Sequence, residues 1–437
     1  MRADMGRKYR LYPTPTQEKV LTEWGHSARA LWNLALEQRQ YAYQQRQVTL
    51  RSVEQGLHLT VARREIAWLA ELPATVGQQV LRHMDLAFDN FFNASHPAGY
   101  PQFKKRGHKL KVSFPGQKVK IRKLSRRWAE ICIPKMGWIR FRLSRALGGV
   151  VRNATISKDG VGWHVSFGVA TGVKPLPPVD KPGCGVDFGV AASAYVSTED
   201  RPRQMPASLS TTEKARLKHL EQKKARQTTY AKKHQGGQYS KRLRKTIAQI
   251  AKIRAKQACR RRDFTHKLTT ELAKNHGYVG IEDLRVKNMT KSARGSVKNP
   301  GMRVKAKAGL NRSILDNCPG ERRRQLEYKC RLYGSELRAV PAIHTSVTCG
   351  NPACGKVDPE SRKGCGRLFA CVHCGFEDDA DHNAAVEIDA RARRGTPPTR
   401  ARRTGGSVNN STHRRLTASS PGSIRRRMRE AQTAAFE

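Results

Sequence analysis

Ten cysteines are spread through the 437 residues, and four of them form two close pairs. Cys349 and Cys354 make the first; Cys371-Val372-His373-Cys374-Gly375 carries the second. Two short knuckles, each offering two thiolates, are what a tetrahedral zinc site requires. The second pair has the compact C-x2-C spacing. The first is looser, and Cys365 lies between the pairs as a spare thiol that could replace Cys354. Zn2+ is expected here, with the ligand set open between those two.

A second kind of chemistry is written in carboxylates. Asp379 is placed to cap a helix whose first turn holds Asp381, with Ala384, Ala385 and Ile388 following at helical spacing. An acid in a first helical turn is ordinary dipole chemistry, so Asp381 gains meaning only from what lies upstream. Asp187 interrupts the small and apolar run Cys184-Gly185-Val186-Asp187-Phe188-Gly189-Val190, and a carboxylate in such a strand is costly unless paired or metal-bound. Glu282 and Asp283 end a second apolar strand, Tyr278-Val279-Gly280-Ile281. Three carboxylates brought together suit two Mg2+ ions about 4 Å apart, which activate water and stabilise the leaving oxygen of a phosphodiester. Glu282 and Asp283 are both open as the second acid.

The elements that must position these groups can be read in order. Residues 8–12 alternate like a strand. Thr14-Pro15-Thr16-Gln17 reads as a capping box with proline at the first helical position. Apolar stripes through Val20–Ala35 and Val76–Phe91 predict core helices. Gly99-Tyr100-Pro101-Gln102-Phe103-Lys104 interleaves aromatic and basic residues, as base stacking with phosphate contact would use. Period-two patterning between Val119 and Ala170 predicts an antiparallel β-domain, closed by the proline-rich 175–178. Residues 213–262 read as a strongly basic helical hairpin broken at Gly236-Gly237, and a basic loop is expected from Lys287 to Lys307. Beyond Arg391 periodicity stops, and an Arg-rich, disordered tail is expected.

Lysine and arginine number 84 against 35 acidic residues, a formal charge of +49. Such a chain repels itself, so a polyanionic partner bound with steep salt dependence is expected. No apolar run approaches the roughly 18–20 residues of a membrane span, and no signal-type core follows Met1. A cytoplasmic, nucleoid-associated protein of bacterial type follows, with reduced or metal-bound cysteines.

The order of these parts resembles the split RuvC motifs of the TnpB (OrfB-type) transposon-encoded proteins, relatives of type V CRISPR effectors. The likeness rests on Gly185-Val186-Asp187-Phe188-Gly189, Ile281-Glu282-Asp283-Leu284, the cysteine pairs and Asp379-Ala380-Asp381-His382-Asn383-Ala384-Ala385. It extends to Tyr9–Gln17, Tyr100–Lys104 and Gln325-Leu326-Glu327-Tyr328-Lys329, with Thr345-Ser346 leading into the cysteines, and covers about residues 6–390. The resemblance implies an α/β fold: an RNase H-like (RuvC) nuclease domain with an inserted zinc ribbon, preceded by an α-helical plus antiparallel β-barrel-like lobe. It implies a helix-turn-helix-like region over 1–110, a β-domain over 111–174, a linker at 175–180, and the nuclease domain over 181–390. Within the last, the basic hairpin spans 211–262 and the ribbon 345–378; the tail occupies 391–437. Catalytic acids carry over to Asp187, Glu282 and Asp381 with Mg2+, and zinc ligands to Cys349, Cys354, Cys371 and Cys374. The implied activity is RNA-guided, Mg2+-dependent cleavage of double-stranded DNA for a mobile element, with guide RNA and target DNA as partners. Two other classes compete: a non-enzymatic nucleic-acid-binding regulator, and a DNA strand-transfer recombinase.

Overall fold

The computed structural model describes residues 4–395, apart from 95, 97, 108, 173–175, 191, 297, 298 and the side chain of Cys365. The described chain divides into two compact units, one up to residue 172 and one from 176 onward. The expected tail lies outside the described residues from 396 on.

In the first unit, strand β1 (Asp4–Tyr12) leads into helices α1 (Pro15–Arg46), α2 (Ser52–Glu65), α3 (Ala67–Glu71) and α4 (Ala74–Phe92). Strands β2 (Lys111–Pro115), β3 (Lys120–Lys123), β4 (Trp128–Ile133), β5 (Gly137–Arg142), β6 (Val150–Asp159) and β7 (Gly162–Ala170) follow. Helix α1 starts as its sequence predicts: Thr14 accepts from the Gln17 amide and the Gln17 side chain accepts from the Thr14 amide. Such a reciprocal cap satisfies two orphan donors at once. The antiparallel sheet runs β2-β6-β7-β1-β5-β4-β3.

Strand β1 explains why the helical and β segments do not separate at residue 110. It sits in mid-sheet, pairing β7 through residues 4–10 and β5 through Leu11 and Tyr12. Its inward residues Tyr9 and Leu11 join Leu21, Trp24 and Leu31 of α1, Val76 and Met84 of α4, and Phe141 and Phe167 of the sheet in one core. Tyr9, Phe141 and Phe167 pack with ring centroids 5.5–5.9 Å apart, and burying each such ring contributes about 1.5–3 kcal/mol. The strand order is open, with β2 and β3 at its ends, rather than closed as a barrel. Strand β1 joins the two halves of the sheet, and the core packs them together beneath it.

The second unit contains β8 (Cys184–Asp187), β9 (Tyr195–Val196), α5 (Thr211–His234), α6 (Lys241–Asn275), β10 (Tyr278–Glu282), α7 (Val286–Met289), α8 (Val304–Asp316), α9 (Pro319–Tyr333) and β11 (Glu336–Val340). The cysteine segment adds β12 (Arg362–Lys363), β13 (Leu368–Ala370) and β14 (Glu377–Asp379), and α10 (Ala380–Arg393) ends it. The main sheet runs β11-β10-β8-β9, with the first three parallel and β9 antiparallel. Parallel neighbours need long crossovers, which the α5–α6 hairpin and the α7–α9 segment supply.

Several boundaries differ from expectation. Helix α8 begins inside the stretch expected as a basic loop, and α6 runs on to Asn275. Arg391 is helical rather than the start of a tail; it pairs with buried Glu387 and donates to the carbonyls of Pro341 and Ile343. The proline-rich segment is not a loose spacer. Leu176 and Val179 donate backbone hydrogen bonds to Leu332 and Gly334 at the end of α9.

Candidate functional site

The main sheet carries small residues on one face and larger ones on the other. Cys184, Val186, Val279 and Ile281 pack with Leu268 and Leu272 of α6 and Leu326 of α9. The alternate residues, Gly185 and Gly280, are in register with each other and face α10. A Cβ on Gly185 would lie 2.2 Å from the Ala385 carbonyl oxygen, and one on Gly280 2.9 Å from the Ala392 side chain. Only glycine lets the helix settle this closely on the strands.

Because side chains alternate along a strand, Asp187 shares the face of Gly185, and Glu282 shares that of Gly280. Both therefore emerge on the side where α10 lies, and Asp381 stands in the first turn of that helix. Asp379 caps the helix, accepting from the amides of Asp381 and His382. A Cβ on Gly189 would stand 3.5 Å from Asp381 Oδ2, so the loop after β8 also borders the acids. Asp283 is turned elsewhere: its carboxylate pairs with Arg323.

Burial raises all three acids, and Asp187 also feels the charges of the other two. Burial, then the charges of Glu282 and Asp381, push the Asp187 carboxyl up to about 8. Burial raises Glu282 too, offset partly by the hydroxyl of Thr345, which donates to its Oε1. Burial and neighbouring Asp379 raise Asp381, while Arg362 opposes the shift. That arginine, on β12 of the cysteine segment, stands 3.6 Å from Asp381 Oδ1. No motif pointed to Arg362; it reaches the acids only through the folding of the insert. The carboxylates do not close into a tight three-ligand cluster as the thiols do. Burial and like charge disfavour ionising the group, and divalent cations are the counter-charge such carboxylates accept.

This cluster costs stability when ionised. Asp187 holds its proton to about 8 in the fold but only to about 4 in an unfolded chain. Between those values the folded state binds the extra proton, so stability in chelator falls as pH rises from about 4 to about 8. Asp187→Asn removes the buried charge. It should raise Tm in EDTA at pH 8 by about 2–5 °C and change it little at pH 4.5, as differential scanning fluorimetry would read.

The four paired cysteines come together with all their sulfurs within 4.8 Å of one another. Cys349 and Cys374 are 3.7 Å apart, and Cys354 and Cys371 3.8 Å. Sulfurs at about 2.3 Å from a tetrahedral centre stand about 3.8 Å from each other, so the group has the dimensions of a four-thiolate site. Cys354 thus belongs to the set; the Cys365 side chain lies outside the described residues. Burial raises Cys371, but the amides of His373 and Cys374 and its sulfur neighbours outweigh it and bring the thiol down to about 6. Burial instead pushes Cys349 up to about 12. The apolar packing beneath the cluster is small, chiefly Phe369, Ala380 and the cysteines themselves.

Asn383 joins the two groups. Fully buried on α10, it accepts from the Gly350 amide and donates to the Thr348 carbonyl, both at 2.8 Å. The Ala380 amide also donates to Arg367. The cysteine segment is thereby fastened to the helix turn that presents Asp381. In the α5–α6 hairpin, Glu213 pairs with Arg260 and Glu221 with Arg254, which leaves most of its lysines and arginines facing solvent.

Residues 167–293 match the OrfB–IS605 family described as "Probable transposase", residues 1–47 its helix-turn-helix domain, and residues 320–388 the TNB domain of Cas12f1-like proteins. The Escherichia coli (strain K12) protein named "Putative RNA-guided DNA endonuclease InsQ" is 34% identical over 87% of this chain and 90% of its own. A Streptomyces pristinaespiralis protein of the same description is 30% identical, covering 87% of each chain. The structure of a Cas12f1–sgRNA–target DNA complex aligns with TM-score 0.41 at 14% identity, over 85% of this chain and 83% of that one. Among the described residues no helix is long and apolar enough to cross a membrane.

Proposed function

We propose, from the premise that this chain belongs to the TnpB (OrfB-type) family of transposon-encoded proteins, that it is an RNA-guided DNA endonuclease of a mobile element. Its second unit would be an RNase H-like RuvC nuclease with an inserted zinc ribbon. The observation that carries the reading is the meeting of Asp187, Glu282 and Asp381 on one side of the β8–β10 sheet. Their residue types fit Mg2+, a hard cation that takes carboxylate oxygens and water. Bound there, Mg2+ would activate the attacking water and stabilise the leaving oxygen of the phosphodiester.

The chain's own residues supply the rest. Asp187 and Glu282 would be held by two adjacent parallel strands, so their spacing varies little. The Thr345 hydroxyl fixes the rotamer of Glu282 by occupying one carboxylate oxygen. Arg362 tempers the negative field beside Asp381. Cys349, Cys354, Cys371 and Cys374 would hold one structural Zn2+ and keep the Arg362 strand in place.

Base pairing by the guide would read the target, leaving the protein to hold backbone and shape through its surplus of lysine and arginine. The test is reconstitution with the RNA that co-purifies, followed by replacement of its guide segment. The cut should move to the DNA complementary to the new guide. A cut that stays at the old site, or that RNase-treated protein still makes, would sink the proposal and favour a protein-read transposase.

A further inference from the structure

One buried side chain behind the acids carries a charge that nothing around it neutralises. Arg322 of α9 is fully buried, and among the described residues no carboxylate pairs with it. Its neighbours Arg323 and Arg324 do have partners, in Asp283 and Glu321. Burial pulls the Arg322 guanidinium down to about 10, which leaves it charged at neutral pH. Among the described residues its Nε has no hydrogen-bond partner. Cys318, just before the same helix, takes left-handed backbone at φ +52°. An unpaired ion, an idle donor and a strained residue so close together are costs that an apolar side chain at position 322 would largely avoid.

What these costs hold in place is the turn that follows Asp187. The Phe188 ring packs with the core on the α6 and α9 side of the sheet. The Arg322 guanidinium lies 5.1 Å over that ring and 5.9 Å over Phe264 of α6. Its Nη1 donates to the Ser193 carbonyl, just before β9, and its Nη2 to Asn317 Oδ1 at 3.3 Å. Asn317 in turn donates to the Val190 carbonyl at 3.5 Å. Directly and through Asn317, Arg322 therefore grips the chain at Phe188, Val190 and Ser193. The other side of the same turn faces the acids. A Cβ on Gly189 would lie 2.9 Å from the Ala192 carbonyl oxygen and 3.5 Å from Asp381 Oδ2. Tyr195, in register with Asp187, packs with Ala192 and with Ala385 of α10.

We infer that Arg322 is a positioning residue of the acid site: it clamps the turn after β8 from behind and so fixes the rim where Asp187 and Asp381 would hold their metal. A planar guanidinium stacks on a ring and donates to two oxygens at once, which sets both distance and angle. A lysine supplies the charge without the fork, and an apolar side chain supplies neither. Arg322 reaches the acids only through the backbone it holds. Groups that orient metal ligands in this way are worth about 10- to 100-fold in metal affinity. The inference rests on the reading of the three acids as a Mg2+ site.

The experiment titrates Fe2+ in place of Mg2+ into the full-length protein purified with its RNA. With ascorbate and peroxide, Fe2+ at the acids cuts the backbone beside it, and fragments ending near Asp187, Glu282 and Asp381 report occupancy without any DNA cleavage. Arg322→Met should need about 10- to 100-fold more Fe2+ for half-maximal cutting, with zinc content unchanged and Tm equal or higher. Its guided DNA cleavage should fall at limiting Mg2+ and recover in part at saturating Mg2+, while DNA affinity stays within about two-fold. Arg322→Lys should lie between it and wild type. Asn317→Ala should shift Fe2+ in the same direction and add little in the double variant, because the two side chains share one grip. If Arg322→Met fails to fold, Arg322→Lys and Asn317→Ala carry the test. Wild-type Fe2+ titrations in the folded variants, whatever their Tm, would make Arg322 a core residue only and overturn the inference. Asp187→Ala separates the two readings. If it keeps the wild-type fragments, the metal reading of the acids fails and this inference with it; if it loses them while the Arg322 variants keep them at wild-type Fe2+, this inference alone fails.

Discussion

Asp187→Ala, Glu282→Ala and Asp381→Ala should each lower guided cleavage roughly 10³-fold or more, the scale on which groups that manage transition-state charge are missed. Affinity for RNA and for target DNA should stay within about two-fold, because carboxylates repel phosphate and contribute nothing to holding it. Double substitutions should cost little more than single ones, as expected of acids that would share one metal site. Asp283→Asn is the internal control: its carboxylate is turned to Arg323, so its loss should reduce activity about two- to ten-fold through α9 alone. Replacing Mg2+ with Ca2+ should allow binding without cutting, as the larger ion tolerates looser geometry. Cleavage assays beside filter binding would decide it. Robust cutting by the Asp187→Ala protein would place the nuclease site elsewhere, and strand joining to element ends by the wild type would favour a recombinase.

Removal of the structural metal should have an effect of similar size by a different route. Elemental analysis of reduced protein should find one Zn2+ per chain. Cys349→Ser, Cys354→Ser, Cys371→Ser and Cys374→Ser should each lose it, whereas Cys365→Ser should keep it. The cysteine segment has too small an apolar core to fold alone, so metal binding there is folding free energy, on the order of 10 kcal/mol for structural zinc. Without it, the clamp that Asn383 makes with Thr348 and Gly350 loosens, and Arg362 leaves Asp381. Hydrogen exchange should then rise through residues 345–385 while β8 and β10 stay protected. Cleavage should fall at least about 100-fold. Protection of the Asp381 turn unchanged by chelation would show that the helix needs no help from the metal.

Much of this was legible before any coordinates, for a physical reason that differs from residue to residue. Thr14, Pro15 and Gln17 announce a helix start because a cap is satisfied within four residues. Strand β10 shows in its apolar run, and the hairpin break shows in Gly236 and Gly237, which both take positive φ. The pairing of Cys371 with Cys374 is likewise local. Such signals depend on near neighbours alone, so composition and spacing determine them. The zinc-ligand types and the candidate carboxylates belonged to this part, with Glu282 and Asp283 both open as the second acid, and so did the basic charge that calls for a polyanion.

The remainder depended on contacts between residues far apart in the chain. Glu282 and Asp283 are adjacent and chemically alike. Strand alternation with Gly280 packed under α10 turns the first toward Asp187, and Arg323 claims the second. Cys354 joins the sulfur set because the backbone from Asn351 to Gly355 turns it back toward Cys371, a turn that spacing alone does not specify. Arg362 lies in no recognisable pattern, yet the β12–β13 pairing carries it to Asp381. Strand β1 reads as an isolated N-terminal strand and becomes the middle of a seven-stranded sheet. The sequence by itself determined which chemical groups this protein owns and which elements carry them. Register, sheet face and close helix approach decided which of those groups meet, because they are settled by long-range pairing and packing.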